Sequence, residues 1–363
     1  MKTIATIFFV LIVAALSAAG ANANVSLPDV ISEAMVLQQG QAVPIWGKAD
    51  PGEVVTVRFA GQSKKAIAAM DGTWRVKLNP MRANATPATM IISGRNNIEL
   101  KDILVGEVWL VSGQSNMQRL LSETDNGEAA IAAANHPLIR LFNVSRQVAF
   151  KHAPPPLATW QACSPQSVRQ FSAAGYYFGV ELEKELRVPI GLINSSYGGS
   201  QAEAWTPVEY LLASEDLRPT VERTKIWDEE RPRVRAEYDE ALQKWRAEAD
   251  KARAAGARPQ PSPAVPDALR EYRIASSIYD GMIAPVMPFF IRGAIWYQGE
   301  SNEARAQQYG VLLPTMIRAW RERWGEGTFP FGIVQLPNYR DQKPEPADEA
   351  WSHLREEIGR AFV

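Results

Sequence analysis

The alternation of apolar and polar positions changes character once along the chain, near residue 104. Before that point, short apolar runs at Met35–Leu37, Val43–Trp46, Val54–Phe59, Trp74–Leu78 and Met90–Ile92 are separated by Gly, Pro, Asn and Asp. Val54-Val55-Thr56-Val57 is β-branched throughout, and Trp74-Arg75-Val76-Lys77-Leu78 alternates with the period of a half-buried strand. The turn signals Ala49-Asp50-Pro51-Gly52 and Met70-Asp71-Gly72 predict hairpin or meander connections. Residues 24–104 are therefore expected to form a small antiparallel, β-sandwich-like domain.

Beyond residue 104, apolar strands end in polar, Gly-rich loops that lead into helical patterns. Val108–Val111 runs into Ser112-Gly113-Gln114-Ser115-Asn116, Ile190–Ile193 into Asn194–Ser200, and Gly293–Tyr297 into Gln298–Asn302. Phe331–Val334 is a further candidate strand. Tyr309, Leu312, Leu313, Met316, Ile317, Trp320 and Trp324 repeat at intervals of three and four and predict one helix closed by Gly325, with Pro314 kinking or restarting it. Strands alternating with helices predict an α/β domain over 105–363, a doubly wound parallel sheet whose ligands collect at the C-terminal strand ends. A densely charged segment at about 214–270 interrupts this pattern. Val234, Tyr238, Ala241, Trp245, Ala249 and Ala252 form a helical stripe in it, and a Pro-rich return runs from Arg258 to Pro266. It reads as an inserted helix packed on the surface, or else as a lid.

Charge and cysteine content narrow the function classes. Thirty-nine Lys and Arg against 40 Asp and Glu leave no basic excess, so nucleic acid is not an expected partner. The lone cysteine, Cys163, excludes an intrachain disulfide. With three histidines it cannot complete a tetrahedral zinc site without carboxylates, so neither a metal nor another cofactor is expected. Lys2, the apolar run Ile4–Leu16 and the small residues ending at Ala21-Asn22-Ala23 have the form of a secretory signal over 1–23. The apolar run is shorter than the ~20 residues of a membrane span. An exported, periplasmic or extracellular protein with no stable membrane insertion is expected.

Ser115 stands where a strand turns into a helix, two residues after Gly113, a corner at which a hydroxyl is exposed and backbone N–H groups face an oxyanion. A serine there is either a nucleophile or an N-cap. The second Gly of the G-x-S-x-G elbow is missing. In Tyr197-Gly198-Gly199-Ser200, paired glycines either let the backbone approach a ligand or simply make a left-handed loop. Gln298-Gly299-Glu300-Ser301-Asn302 carries neutral amides that either complete such a hole or cap a helix.

These three blocks, from Gly106-Glu107-Val108-Trp109 through Met117, from Asn194 through Ser200 with Trp205, and from Ile295 through Asn302, resemble the signature blocks of the SGNH-type sialate O-acetylesterases and related carbohydrate acetylesterases. The resemblance spans roughly residues 25–350 and implies a serine esterase acting on O-acetylated sugars. It implies Ser115 as nucleophile, the N–H groups of Ser115 and Gly199 as oxyanion donors, and Gln298, or as second choice Asn302, as the side-chain donor. Gln114, Asn116, Gly198 and Glu300 would line the substrate site. Sialic acid is the implied substrate and acetylated xylan the alternative.

The family pattern also includes a late Asp-x-x-His, whose histidine takes the serine proton while the aspartate orients its ring. The three histidines here are His136, His152 and His353, and the last has Asp348 five residues before it, a different spacing. The resemblance thus predicts either that the pair lies beyond residue 363, leaving the hydrolase domain C-terminally incomplete, or that the protein is an inactive, glycan-binding relative.

Overall fold

The computed structural model describes residues 24–148, 158–339, 345 and 347–361. The expected signal segment 1–23 and His152 lie outside the described residues. The strands are β1 (Val36–Gln38), β2 (Pro44–Lys48), β3 (Val54–Phe59), β4 (Gln62–Ile67), β5 (Thr73–Lys77), β6 (Asn84–Ser93), β7 (Asn97–Gly113), β8 (His136–Asn143), β9 (Trp160–Cys163), β10 (Ile190–Ser196), β11 (Gly293–Tyr297) and β12 (Phe331–Ile333). The helices are α1 (Ser115–Gln118), α2 (Gly127–Ala133), α3 (Pro165–Val168), α4 (Ala173–Leu186), α5 (Val208–Ala213), α6 (Arg218–Ala254), α7 (Ala306–Trp324) and α8 (Ala350–Arg360).

The architecture is mixed α/β with a mainly parallel central sheet. Strands β12, β11, β7, β10 and β8 lie side by side in parallel, and β9 closes the β8 edge antiparallel. Strand β7 runs straight through residue 104, where the sequence pattern changes. Its first half pairs antiparallel with β6, which pairs antiparallel with β3, and β3 with β4; β1 joins β7 in parallel, and β2 and β5 form a separate ribbon. One 17-residue strand is therefore shared between the N-terminal antiparallel pairings and the parallel sheet.

Side chains on the central strands are buried on both faces, as expected where helices cover both sides of a parallel sheet. Along β11, Ile295 packs with Val111 and Leu192 on the side of α4, while Ala294 and Trp296 pack with Tyr309 and Trp320 of α7. Trp205, Trp296 and Trp320 are all fully buried, with edge-to-face ring centroids 5.5 and 5.7 Å apart, so these aromatics build core rather than a sugar platform. Helix α7 continues through Pro314 and ends at Gly325 in a left-handed cap, φ 73°. The proline does not restart it. In α6, Val234, Tyr238, Trp245, Ala249 and Ala252 are at least half-buried as expected, but Ala241 is exposed and its neighbour Leu242 takes its place. The return segment is tied back to α6 by a hydrogen bond from Trp245 Nε1 to the Gln260 carbonyl, 2.8 Å.

Beyond α7, Glu326 places Oε2 3.2 Å from the Ile291 N–H, while Oε1 is buried with no partner among the described residues. Burial pushes its carboxyl up to about 9, against the opposing pull of the Ile291 bond and of Arg75. Between its ordinary value of 4.5 and about 9 the folded protein keeps a proton that the unfolded chain has released, so stability falls as pH rises across this window. Glu326→Gln is expected to remove that fall. The variant should be more stable than the parent by up to about 5 kcal/mol near pH 8 and little different near pH 4, read from urea midpoints. Parallel pH profiles for the two proteins would refute this.

Candidate active site

The three polar loops start at one level. In the register of the parallel sheet, Gly113 of β7 pairs with Ser196 of β10 on one side and with Tyr297 of β11 on the other. The chain segments that follow, 114–118, 197–200 and 298–302, therefore emerge together at the C-terminal strand ends, where parallel sheets bind ligands.

Gly113 makes this corner possible. Its φ of 142° is one that side chains rarely adopt, and a Cβ there would collide with the Tyr297 carbonyl oxygen. Gly113→Ala is expected to cost about 3 kcal/mol, combining backbone strain with a forced separation of β7 and β11. Thermal or urea unfolding checks this, and a loss below about 1 kcal/mol would show that the corner relaxes freely.

Ser115 is the first residue of α1 and is exposed. The N-cap is Gln114, which makes no side-chain capping bond, so the serine hydroxyl is not spent on the helix end. Gln114 N–H binds the Tyr297 carbonyl at 2.9 Å, and the helical ladder resumes with Gln118 N–H to the Gln114 carbonyl at 2.8 Å. The intervening N–H groups, Ser115 among them, belong to the open first turn. A Cβ placed on Gly198 would lie 3.6 Å from Ser115 Cβ, so the glycine loop packs directly beside the serine. The Gly198 N–H is held by Gln118 Oε1 at 2.6 Å, whereas Gly199, at φ 73°, has no bonded N–H among the described residues.

The amide side chains of the third loop are engaged within the protein. Gln298 is fully buried; its Nε2 donates to the Ser200 carbonyl, 3.2 Å, and to Asn302 Oδ1, 2.8 Å, while its Oε1 accepts from the Tyr309 hydroxyl, 2.9 Å. Asn302 is equally buried. Its Oδ1 also accepts from Ala202 N–H at 3.0 Å, and its Nδ2 donates to Glu203 Oε2 at 2.8 Å. Both side chains frame the glycine loop instead of facing solvent. Gln114, expected to touch substrate, is also buried, and its Oε1 accepts from Ser301 N–H at 3.3 Å. Asn116 remains half-exposed beside Ser115, with Nδ2 2.7 Å from Glu300 Oε1. Burial raises the Glu300 carboxyl above the usual range despite that bond, and its Oε2 has no partner among the described residues.

No hydrogen bond joins a histidine to Ser115 among the described residues. His136 starts β8, at the opposite end of the sheet, and pairs with Glu183 at 2.9 Å. His353 on α8 pairs with Asp348 over a shallow cleft built from residues 303–308, which does not include Ser115.

Sequence reasoning did not single out Glu203, Gln118 or Tyr272. Glu203 is 1% exposed, and its Oε1 meets Arg223 at 2.7 Å and Arg305 at 2.6 Å. A lone acid in the apolar run Ala202-Glu203-Ala204-Trp205 was the available signal, since buried charges occur only when paired. Among the described residues there is no group of three or more His, Cys, Asp or Glu that could hold a metal, and no helix long and apolar enough to cross a membrane.

A parallel-sheet α/β protein with an exposed serine, a glycine loop and buried amides gathered at its strand ends has the layout of a hydrolase. The chain matches the carbohydrate esterases described as sialic acid-specific acetylesterases over residues 105–255 and 266–361, and it belongs to that family. It is 30% identical to a sialate O-acetylesterase of Mus musculus, covering 91% of this chain and 63% of the relative. With the sialate O-acetylesterase of Homo sapiens it shares 29% identity over 90% of this chain and 59% of the relative. The chain thus spans about three fifths of the length of these curated relatives. Among solved structures it is similar to a carbohydrate acetylesterase from Xanthomonas citri, with a TM-score of 0.73 and 29% identity over 93% of this chain and 66% of that one.

Proposed function

We propose that this protein is an SGNH-type serine esterase that removes O-acetyl groups from sialic acid or a related acetylated sugar, its parallel-sheet hydrolase domain following a small antiparallel β-domain. The observation that carries the proposal is Ser115 itself, exposed on a strand-to-helix corner, free of capping duty and packed beside Gly198. In this reading Ser115 Oγ attacks the acetyl carbonyl carbon and its proton passes to a general base. The N–H groups of Ser115 and Gly199 receive the oxyanion, and the C–O bond to the sugar breaks as the sugar hydroxyl leaves with a proton. Water then attacks the acetyl-serine and releases acetate. Gln298 and Asn302 hold the Gly199 loop in place, and Asn116, oriented by Glu300, faces the substrate.

A second reading, a glycan-binding protein without turnover, is favoured by the lack of a histidine bonded to Ser115 among the described residues. Acetate release from O-acetylated N-acetylneuraminic acid by this chain, beside Ser115→Ala, decides between them. Release that needs Ser115 supports the esterase. Release that survives the substitution, or none at all, removes that reading.

A further inference from the structure

Helix α6 and its return segment do more than cover the surface, because they carry residues 265–273 to the glycine loop. Arg231 Nε on α6 donates to the Ala268 carbonyl at 3.1 Å, and Thr224 Oγ1 accepts from the Ala275 N–H at 3.2 Å. Arg273 Nε donates to the carbonyl of Gly199 at 3.3 Å, and the Tyr272 ring lies 3.5 Å from where a Cβ on Gly199 would be. Tyr272 also stacks on Tyr197, the residue that opens the glycine loop, with ring centroids 4.9 Å apart and planes 26° apart. The segment is thus pinned from both sides, one glycine away from Ser115's neighbour Gly198.

Beside this stacked pair lies a cleft of about 390 Å³ that includes Arg146, Arg270 and Glu271. Arg146 is exposed and has no ion-pair partner among the described residues. Arg270 shares Asp267 at 3.5 Å, but that carboxylate sits closer to Arg273, 2.7 Å away. Arg146, Arg270 and Arg273 against the carboxylates of Asp267 and Glu271 leave the cleft with a net positive charge, and guanidiniums recognise carboxylates by paired N–H donors. In a chain with no overall basic excess, this local surplus next to the glycine loop favours an occupant of opposite charge.

The geometry points to this cleft as a specificity subsite for an acidic sugar, in which Arg146 and Arg270 take the carboxylate while the Tyr197–Tyr272 pair supports the ring. The inference rests on the esterase reading for which bond is cut, and it extends that reading by distinguishing acidic from neutral acetylated sugars. It gives the inserted helix a role: α6 holds the subsite against the catalytic loop.

The test is binding of O-acetylated N-acetylneuraminic acid and of its neutral methyl ester to the Ser115→Ala chain, by calorimetry. The acid should bind at least about tenfold tighter than the ester, an ion-pair contribution of roughly 1.4 kcal/mol. Adding Arg146→Ala or Arg270→Gln should bring the acid down to the ester's affinity and leave the ester unchanged, and Glu271→Gln should strengthen the acid severalfold. Equal binding of acid and ester, equal weakening of both by the Arg variants, or binding of neither overturns the subsite. The two readings separate cleanly. Acetate release that depends on Ser115 but is equal for acid and ester leaves the esterase standing and removes the subsite, while Arg146-dependent acid binding without acetate release does the reverse.

Discussion

Under the esterase reading, replacing Ser115 by alanine is expected to lower acetate release by about four to six orders of magnitude, without measurable loss of stability. The size follows from the role. A nucleophile splits a difficult displacement into two easier steps, and its removal in serine hydrolases typically costs about 10⁶ in turnover, with an intact oxyanion hole leaving residual catalysis of about 10³–10⁴ over water. The unchanged stability follows from the structure. Ser115 is exposed, its hydroxyl caps no helix, and alanine is a better helix former at that position, so the change in folding free energy should stay within about 0.5 kcal/mol. Acetate release and a thermal melt on the same preparation check both halves. A variant that melts early says the serine is structural, and one that keeps its rate says the nucleophile is elsewhere.

What was legible in the sequence was the convergence of the three polar loops, because it rests on local chemistry repeated three times. Each apolar strand runs directly into a polar, Gly-bearing segment, and a parallel sheet has no choice but to gather those segments at one edge. The duties of the amides were not legible. Whether Gln298 donates to a substrate or to the Ser200 carbonyl depends on burial and on partners some 100 residues away, and spacing within a motif carries neither. The change of pattern near residue 104 marks a real change of pairing partner, yet it falls inside β7, because a strand can be half-buried along one stretch and buried on both faces along the next. Pro314 was read as a kink or a restart because it removes one helical hydrogen bond, but the helix runs on through it, since the apolar face of Leu313, Met316, Ile317 and Trp320 is fully buried and packing outweighs that loss. The cleft at Arg146 and Tyr272 joins residues far apart in the chain, and only the fold of α6 brings them together.

Glu203→Ala is the substitution expected to destabilise the protein most, by about 3–5 kcal/mol, the range for breaking a buried ion cluster by removing one partner. The carboxylate accepts from Arg223, Arg305 and Asn302, and the backbone carbonyl of the same residue accepts from Ser276 N–H at 2.9 Å. Without the carboxylate, two guanidiniums that are only 29% and 24% exposed face each other unneutralised. The strain is already visible in the intact protein, where burial first and the neighbouring Arg305 second hold the Arg223 guanidinium below its ordinary range. A second substitution, Arg223→Met, should therefore recover about 1–2 kcal/mol of the loss, because it leaves one buried charge in place of two. Glu203→Gln, which keeps the shape and one acceptor, should fall between parent and alanine variant. Urea midpoints of the four proteins test the set, and a loss below about 1 kcal/mol for Glu203→Ala would mean that water reaches the arginines and the cluster is not structural. The consequence for the site is direct. Asn302 Nδ2 loses its acceptor, and Asn302 Oδ1 is what holds Ala202 and Gln298, so the glycine loop should loosen even in molecules that remain folded. Under the esterase reading, Glu203→Gln should then lower turnover more than it raises KM, since a loosened Gly199 N–H is missed chiefly in the transition state.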